Sequence, residues 1–174
     1  MKTVLVIAAH PDDEALGCGG TIAKYVSQGH KVHLVFMADG VNSRSKTIDK
    51  DLKYRIEASK SAQSLLGITS SYYLDFPDNR MDSTPLLDII QKLEPIIEKL
   101  KPSIIYTHHH GDLNIDHQLT HTAVMTACRP LPNSSVREIY GFEILSSTGW
   151  RGTDNLGFKP TVYVDIKDYI KTYI

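Results

Sequence analysis

The chain has 174 residues, 41% apolar and 22% charged, with 19 basic against 20 acidic side chains and a net charge of −1. That length suits one domain with a full core and is short for two. The balanced charge argues against a nucleic-acid or membrane-surface partner, and no run approaches the roughly 18 apolar residues of a membrane span.

The six apolar residues after Met1-Lys2-Thr3 are too few for a signal peptide and instead predict a buried strand of a parallel sheet. The strand runs into His10-Pro11-Asp12-Asp13-Glu14, three consecutive carboxylates at its carboxyl end. They repel one another unless a cation sits there, and the crevice outside the carboxyl ends of strands is where open α/β sheets bind ligands. The competing interpretation is that one of these acids caps the following helix.

Helical spacing follows from Gly20 to Gly29, then a second strand over Lys31–Ala38, the pair calling for a right-handed parallel crossover. Asp39 to Arg44, which includes Asn42, is a polar loop at the same edge. Lys46–Leu66 is predicted as an amphipathic helix with Tyr54, Ile56, Ala58, Ala62, Leu65 and Leu66 facing inward. A short third strand over Ser71–Leu74 precedes a helix over Leu86–Leu100, in which Pro95 predicts a kink or break. Pro102–Thr107 is the fourth strand, Asn114–Cys128 a helix and Arg137–Leu145 a strand; Thr161–Val164 is predicted as the last strand, with a helix beginning at Ile166. The alternation predicts a three-layer, Rossmann-like α/β fold with a mostly parallel sheet, as one domain over 1–174. Cys18 and Cys128 match no metal or redox spacing and read as reduced thiols of a cytoplasmic protein.

Of eight histidines, five lie between His108 and His121. The fourth strand runs directly into His108-His109-His110-Gly111-Asp112-Leu113-Asn114-Ile115-Asp116-His117. Loops after two parallel strands open on one edge, so this loop can face His10 and Asp13. Catalytic zinc sites take three protein ligands and leave one position for water. Two ligands from the first loop and one histidine from the second supply that set, with His117 a better candidate than His121. Adjacent side chains leave a strand in opposite directions, so His108, His109 and His110 cannot all be ligands.

Together these two motifs, in this order, resemble the PIG-L/LmbE-like family of zinc-dependent N-acetylglucosaminyl deacetylases. The resemblance extends to the Gly-rich turn at 17–20, Arg55 with Glu57, the Phe76-Pro77-Asp78-Asn79-Arg80 loop and Phe142-Glu143. It implies one Zn2+ per chain held by His10, Asp13 and His117, although such a donor set accepts other divalent ions. It also implies Asp12 as general base, with Asn114 and Asp116 as the other catalytic candidates. Arg55 is implied at the substrate end of the pocket, where Asn42 and His109 are further substrate-side candidates; the alternative for Arg55 is a surface salt bridge with Glu57 or a nearby acid. The implied reaction is hydrolysis of an acetamide on an N-acetylated sugar or its conjugate, by a protein forming a trimer or hexamer.

Two departures stand out. Many family members carry histidine where this chain has Asn114, and an amide cannot shuttle a proton; either His109 or His110 supplies the acid, or Asp12 acts twice. Relatives also continue past the position of Ile174, so the resemblance implies a chain shortened there. The alternatives are another amide hydrolase on the same metal, or a metal-retaining binding module. NAD binding is disfavoured because Gly17-Cys18-Gly19-Gly20 lacks the dinucleotide spacing.

Overall fold

The computed structural model describes residues 1–41, 49–151 and 157–170. Five strands, β1 (Thr3–Ala8), β2 (Lys31–Ala38), β3 (Ser70–Phe76), β4 (Ile104–His108) and β5 (Glu138–Phe142), form one sheet in the order β3-β2-β1-β4-β5. Every pairing is parallel, with Val6 opposite both Leu34 and Tyr106. β1 and β2 are buried along almost their whole length, as expected of strands covered on both faces.

Alternate residues of the central strands feed two cores. Val4, Val6, Leu34, Phe36 and Ile104 pack with Ile22 of α1 (Asp13–Ser27) and Leu66 of α2 (Asp49–Leu66). Leu5, Ile7, Val35, Met37 and Ile105 pack on the opposite face with Ile89 and Leu93 of α3 (Leu86–Leu100) and Val124 of α4 (Ile115–Ala127). The period-2 alternation of the strands therefore makes a three-layer sandwich. Among the described residues no helix is long and apolar enough to cross a membrane. Cys18 and Cys128 are both free and buried.

Four expectations are corrected. α1 starts at Asp13 rather than Gly20, bringing the acidic residues into its first turn, with non-helical geometry at Cys18. Pro95 neither breaks nor splits α3, which is continuous; the residue is exposed, so water can satisfy the carbonyl its ring leaves without a partner. The inward face of α2 carries Ile56, Ser59, Gln63 and Leu66, while Tyr54, Ala58 and Leu65 are exposed. Residues 161–164 form no strand, and Tyr163 is 81% exposed with no apolar surface to cover it. After Ile166 the described chain makes a 3-10 turn over Lys167–Tyr169, and Ile170, the last described residue, is helical.

β1 sits between β2 and β4, where the strand order reverses. Doubly wound sheets open their binding crevice at this switch point. The loops leaving β1 and β4 carry the two histidine-bearing motifs, so the topology places both at one crevice.

Candidate metal centre

The β1 exit is tied down from both neighbouring strands. Ala9 accepts a hydrogen bond from the Ala38 amide at 2.8 Å, and its own N–H donates to Nε2 of His108 at 2.9 Å. The chain then turns: the Asp13 amide donates back to the His10 carbonyl, and Asp12 takes φ 148°, a sparsely populated value for a residue with a Cβ. Asp12 occupies the N-cap position of α1, yet its side chain makes no capping hydrogen bond. It pairs instead with Arg55 of α2. Gly17 lets α1 lie against β5, since a Cβ there would fall 2.3 Å from the Phe142 ring.

Asp13 is the hub. Its buried Oδ2 accepts the His10 backbone N–H at 2.9 Å and stands 3.4 Å from His10 Nδ1 and 3.3 Å from His117 Nε2. The far nitrogen of each imidazole faces another carboxylate. His10 Nε2 lies 3.1 Å from Asp116 and 3.2 Å from Asp78, and His117 Nδ1 lies 3.2 Å from Asp112.

This donor set fits a divalent cation. Ligand atoms of His10, Asp13 and His117 lie within 4.8 Å of one another and all three residues are buried. Two ligands held tetrahedrally at about 2.0–2.1 Å from zinc are about 3.3–3.4 Å apart, which the Asp13–His10 and Asp13–His117 separations match. Carboxylates behind both imidazoles complete the pattern usual around ligating histidines.

Electrostatics agree. Burial disfavours the charged form of His10, but hydrogen bonds to Asp116, Asp13 and Asp78 outweigh it and raise its pKa to about 11. Burial likewise opposes charge on His117, and Asp112 and Asp13 carry it up to about 9. Burial also works against an ionised Asp13, yet the surrounding histidines hold its carboxyl well below the usual range. The carboxylates thus demand positive charge, and one divalent ion can replace two imidazole protons without changing the total. His108 differs: burial pushes it down to about 3, it is neutral, and Nε2 is occupied by the Ala9 N–H. Its ring stacks on His117 with centroids 3.9 Å apart.

A cavity of about 260 Å3 opens over these groups, lined also by Asp12, Arg55, Asn79, Asn114, Ile144 and Ser147. The sequence model of the PIG-L family, described as GlcNAc-PI de-N-acetylase, matches residues 5–128. The chain belongs to the PIG-L family. It is 35% identical to the uncharacterized deacetylase YaiS of Escherichia coli K12, over 96% of this chain and 83% of that protein. It is 27% identical to the diacetylchitobiose deacetylase of Thermococcus kodakarensis, over 98% of this chain and 66% of that protein. The N,N'-diacetylchitobiose deacetylase structure from Pyrococcus horikoshii superposes with a TM-score of 0.80 at 24% identity, covering 99% of this chain and 67% of that one, which supports the shared fold.

The remaining PIG-L positions singled out by the sequence are distributed unevenly. Asn114 lies at the cavity and caps α4: its Oδ1 accepts the Asp116 N–H at 2.8 Å, and its Nδ2 donates to Asn79 Oδ1 at 3.2 Å. Asp116 is buried behind His10 and accepts the backbone N–H groups of Asn79 and Met81, joining α4 to the loop after β3. Arg55 reaches the cavity but spends its donors on Asp12 and the Pro11 and Gly40 carbonyls, rather than on Glu57. His109 does not line the cavity; its ring packs edge-on against His110 and Phe158. Asn42 lies outside the described residues. Asp78 and Asp112 are members of the site that received no role from the sequence, although both stand in segments matching the family pattern. The resemblance covers their segments but assigns them no role, and an acid beside a predicted loop turn is a signal that surface acids share.

Proposed function

We propose that the protein is a metal-dependent deacetylase that hydrolyses the acetamide of an N-acetylated amino sugar or its conjugate, releasing acetate and a free amine. The observation that carries this reading is the three-donor geometry of His10, Asp13 and His117 with a second carboxylate, Asp12, beside it at the cavity. Membership of the PIG-L family and the names of the relatives point to the substrate class.

In this reading His10, Asp13 and His117 hold the metal. A zinc ion bound there supplies Lewis acidity to the amide carbonyl and to the attacking water. Asp12 takes the proton from that water as general base. Burial, with Asp13 adjacent, raises its pKa against the opposing pull of Arg55, which strengthens it as a base. The proton then has to reach the leaving nitrogen. Asn114 cannot carry it, and neither His109 nor His110 lines the cavity, so Asp12 returns it and serves twice. The Asn114 amide, at the cavity wall, is the donor proposed for the carbonyl oxygen as charge develops. Asp116 and Asp112 hold the two imidazoles with their metal-facing nitrogens directed at Asp13.

The test is zinc content after dialysis together with acetate release from N-acetylglucosamine and N,N'-diacetylchitobiose, with and without chelator. Chelator-sensitive release from either substrate is the expected result. Stoichiometric zinc with no release from either overturns the sugar-deacetylase reading and leaves another amide, or binding alone, as the role of the centre.

A further inference from the structure

We infer that Thr148 and Ser147, in the loop after β5, are positioning residues for His117, acting through the Asp112 carboxylate. The inference rests on the reading of His117 as a metal donor. It concerns a segment that neither histidine-bearing motif includes.

Asp112 is fully buried, and its two oxygens are divided between two tasks. Oδ1 accepts the Asn114 N–H at 2.8 Å and faces His117 Nδ1 at 3.2 Å. Oδ2 accepts from the Ser147 hydroxyl at 2.9 Å and from the Thr148 hydroxyl. A carboxylate that only bonded the imidazole could rotate about its own side-chain torsion and swing Oδ1 away. Two hydroxyl donors on the opposite oxygen block that rotation. They therefore fix the orientation of the imidazole, with Nδ1–H on Asp112 and Nε2 directed at Asp13, 3.3 Å away.

The loop is built to hold these hydroxyls in place. Thr148 is 3% exposed, and its Oγ1 also accepts the Ile144 N–H at 2.8 Å, while Ser147 and Thr148 both donate backbone N–H groups to the Ile144 carbonyl. The turn from Ile144 to Thr148 is closed on itself before it reaches Asp112. Ile144, Ser146 and Ser147 line the cavity, so the turn that orients His117 is also a wall of the proposed substrate site. This arrangement links the turn after β5 to the loop carrying Asp112 and the helix carrying His117, 35 and 30 residues away in the sequence.

The experiment measures zinc affinity by competition with a chromophoric chelator, and the visible absorption of the cobalt(II) form. It uses the whole chain unaltered and as Thr148→Val, Thr148→Ser and Ser147→Ala. Loss of a group behind a ligating histidine typically costs 10–100-fold in metal affinity, so Thr148→Val should weaken zinc binding by about 10-fold or more and shift the cobalt spectrum. Thr148→Ser restores the hydroxyl and should restore both readings. Valine also leaves the Ile144 N–H without its acceptor, and this variant can fail to fold for that reason alone. Ser147→Ala removes a donor to Asp112 together with the 3.4 Å contact of the same hydroxyl with His117 Nδ1, and no backbone partner, and it should weaken zinc binding in the same direction. Zinc affinity and cobalt spectra in Ser147→Ala and in folded Thr148→Val that match the unaltered chain overturn this inference alone. Failure of the unaltered chain to take up either metal overturns the metal-donor reading of His117 and this inference with it.

Discussion

Arg55 holds Asp12 by a direct guanidinium–carboxylate contact, and the same guanidinium clamps the backbone of the loops after β1 and β2. Nη1 also donates to the Pro11 carbonyl at 2.9 Å, and Nη2 donates to the Gly40 carbonyl at 3.2 Å. Three acceptors from the loops after β1 and β2 are thus gathered by one planar fork on α2. Asp12 stands at φ 148°, a conformation persisting only where its surroundings enforce it. Lysine cannot reproduce a fork with this geometry. Arg55→Lys is predicted to lower kcat on the order of tenfold to a hundredfold through misplacement of the base. Zinc content should stay that of the unaltered chain, because Arg55 touches none of His10, Asp13 or His117. Steady-state kinetics beside metal analysis checks both, and a rise in KM with kcat unchanged would instead assign Arg55 to substrate binding.

Asp12→Asn separates the proton acceptor from the metal donors. The amide is nearly isosteric but accepts no proton, and loss of a positioned general base typically costs about 10²–10⁴ in rate. Turnover of the proposed reaction should fall by that order while zinc stays stoichiometric. Near-normal turnover would remove Asp12 from its role.

Asn114 has two separable functions in the structure. Its carbonyl oxygen caps α4, and its amide nitrogen faces the cavity and Asn79. Asn114→Ala loses both and should cost about 1 kcal/mol of stability, the usual worth of an N-cap, with reduced turnover. Asn114→Asp keeps a capping oxygen and exchanges the donor for a carboxylate, so it should stay closer to the Tm of the unaltered protein than Asn114→Ala while turnover still falls. Thermal denaturation paired with an acetate assay distinguishes the two, and equal activity in Asn114→Asp and the unaltered chain would remove the amide from the chemistry.

The layered architecture is legible in the sequence because burial on both faces writes the central strands as continuous apolar runs, and helices between them force parallel crossovers. The meeting of the His10 and His117 loops follows from the same logic. α2 is misread because its inward face is partly polar. Ser59 and Gln63 are buried, and Gln63 Nε2 donates to the Ser59 hydroxyl at 2.9 Å and to the Tyr73 hydroxyl at 2.8 Å, so hydropathy assigns the stripe to Tyr54, Ala58 and Leu65 instead. Asp78 and Asp112 are missed for a related reason: their partners lie on other elements, and no local spacing distinguishes a buried carboxylate behind an imidazole from a solvated loop acid. The 161–164 segment has a strand-like composition, but strands need a neighbour, and pairing is a property of the whole sheet.

Gly40 occupies a backbone position next to the centre that favours glycine. It has φ +72°, and a Cβ there would lie 2.9 Å from Cβ of His10. The left-handed conformation alone costs a residue with a side chain about 1–2 kcal/mol. The close contact adds to this, and neither His10 nor the Arg55-bound carbonyl of Gly40 can move away without loosening the site. Gly40→Ala should therefore lower Tm by at least about 2 °C, the shift roughly 1 kcal/mol produces in a chain of this size. It should also weaken zinc binding, because the displaced group is the His10 side chain itself. Substitution at Gly29, φ +76° with nothing within 4 Å of the added Cβ, supplies the control. Gly29→Ala carries the same backbone penalty without the contact, so it should lower Tm and leave zinc affinity unchanged. Equal zinc affinity in both variants would show that the His10 loop tolerates the displacement and that the role of Gly40 is confined to its turn.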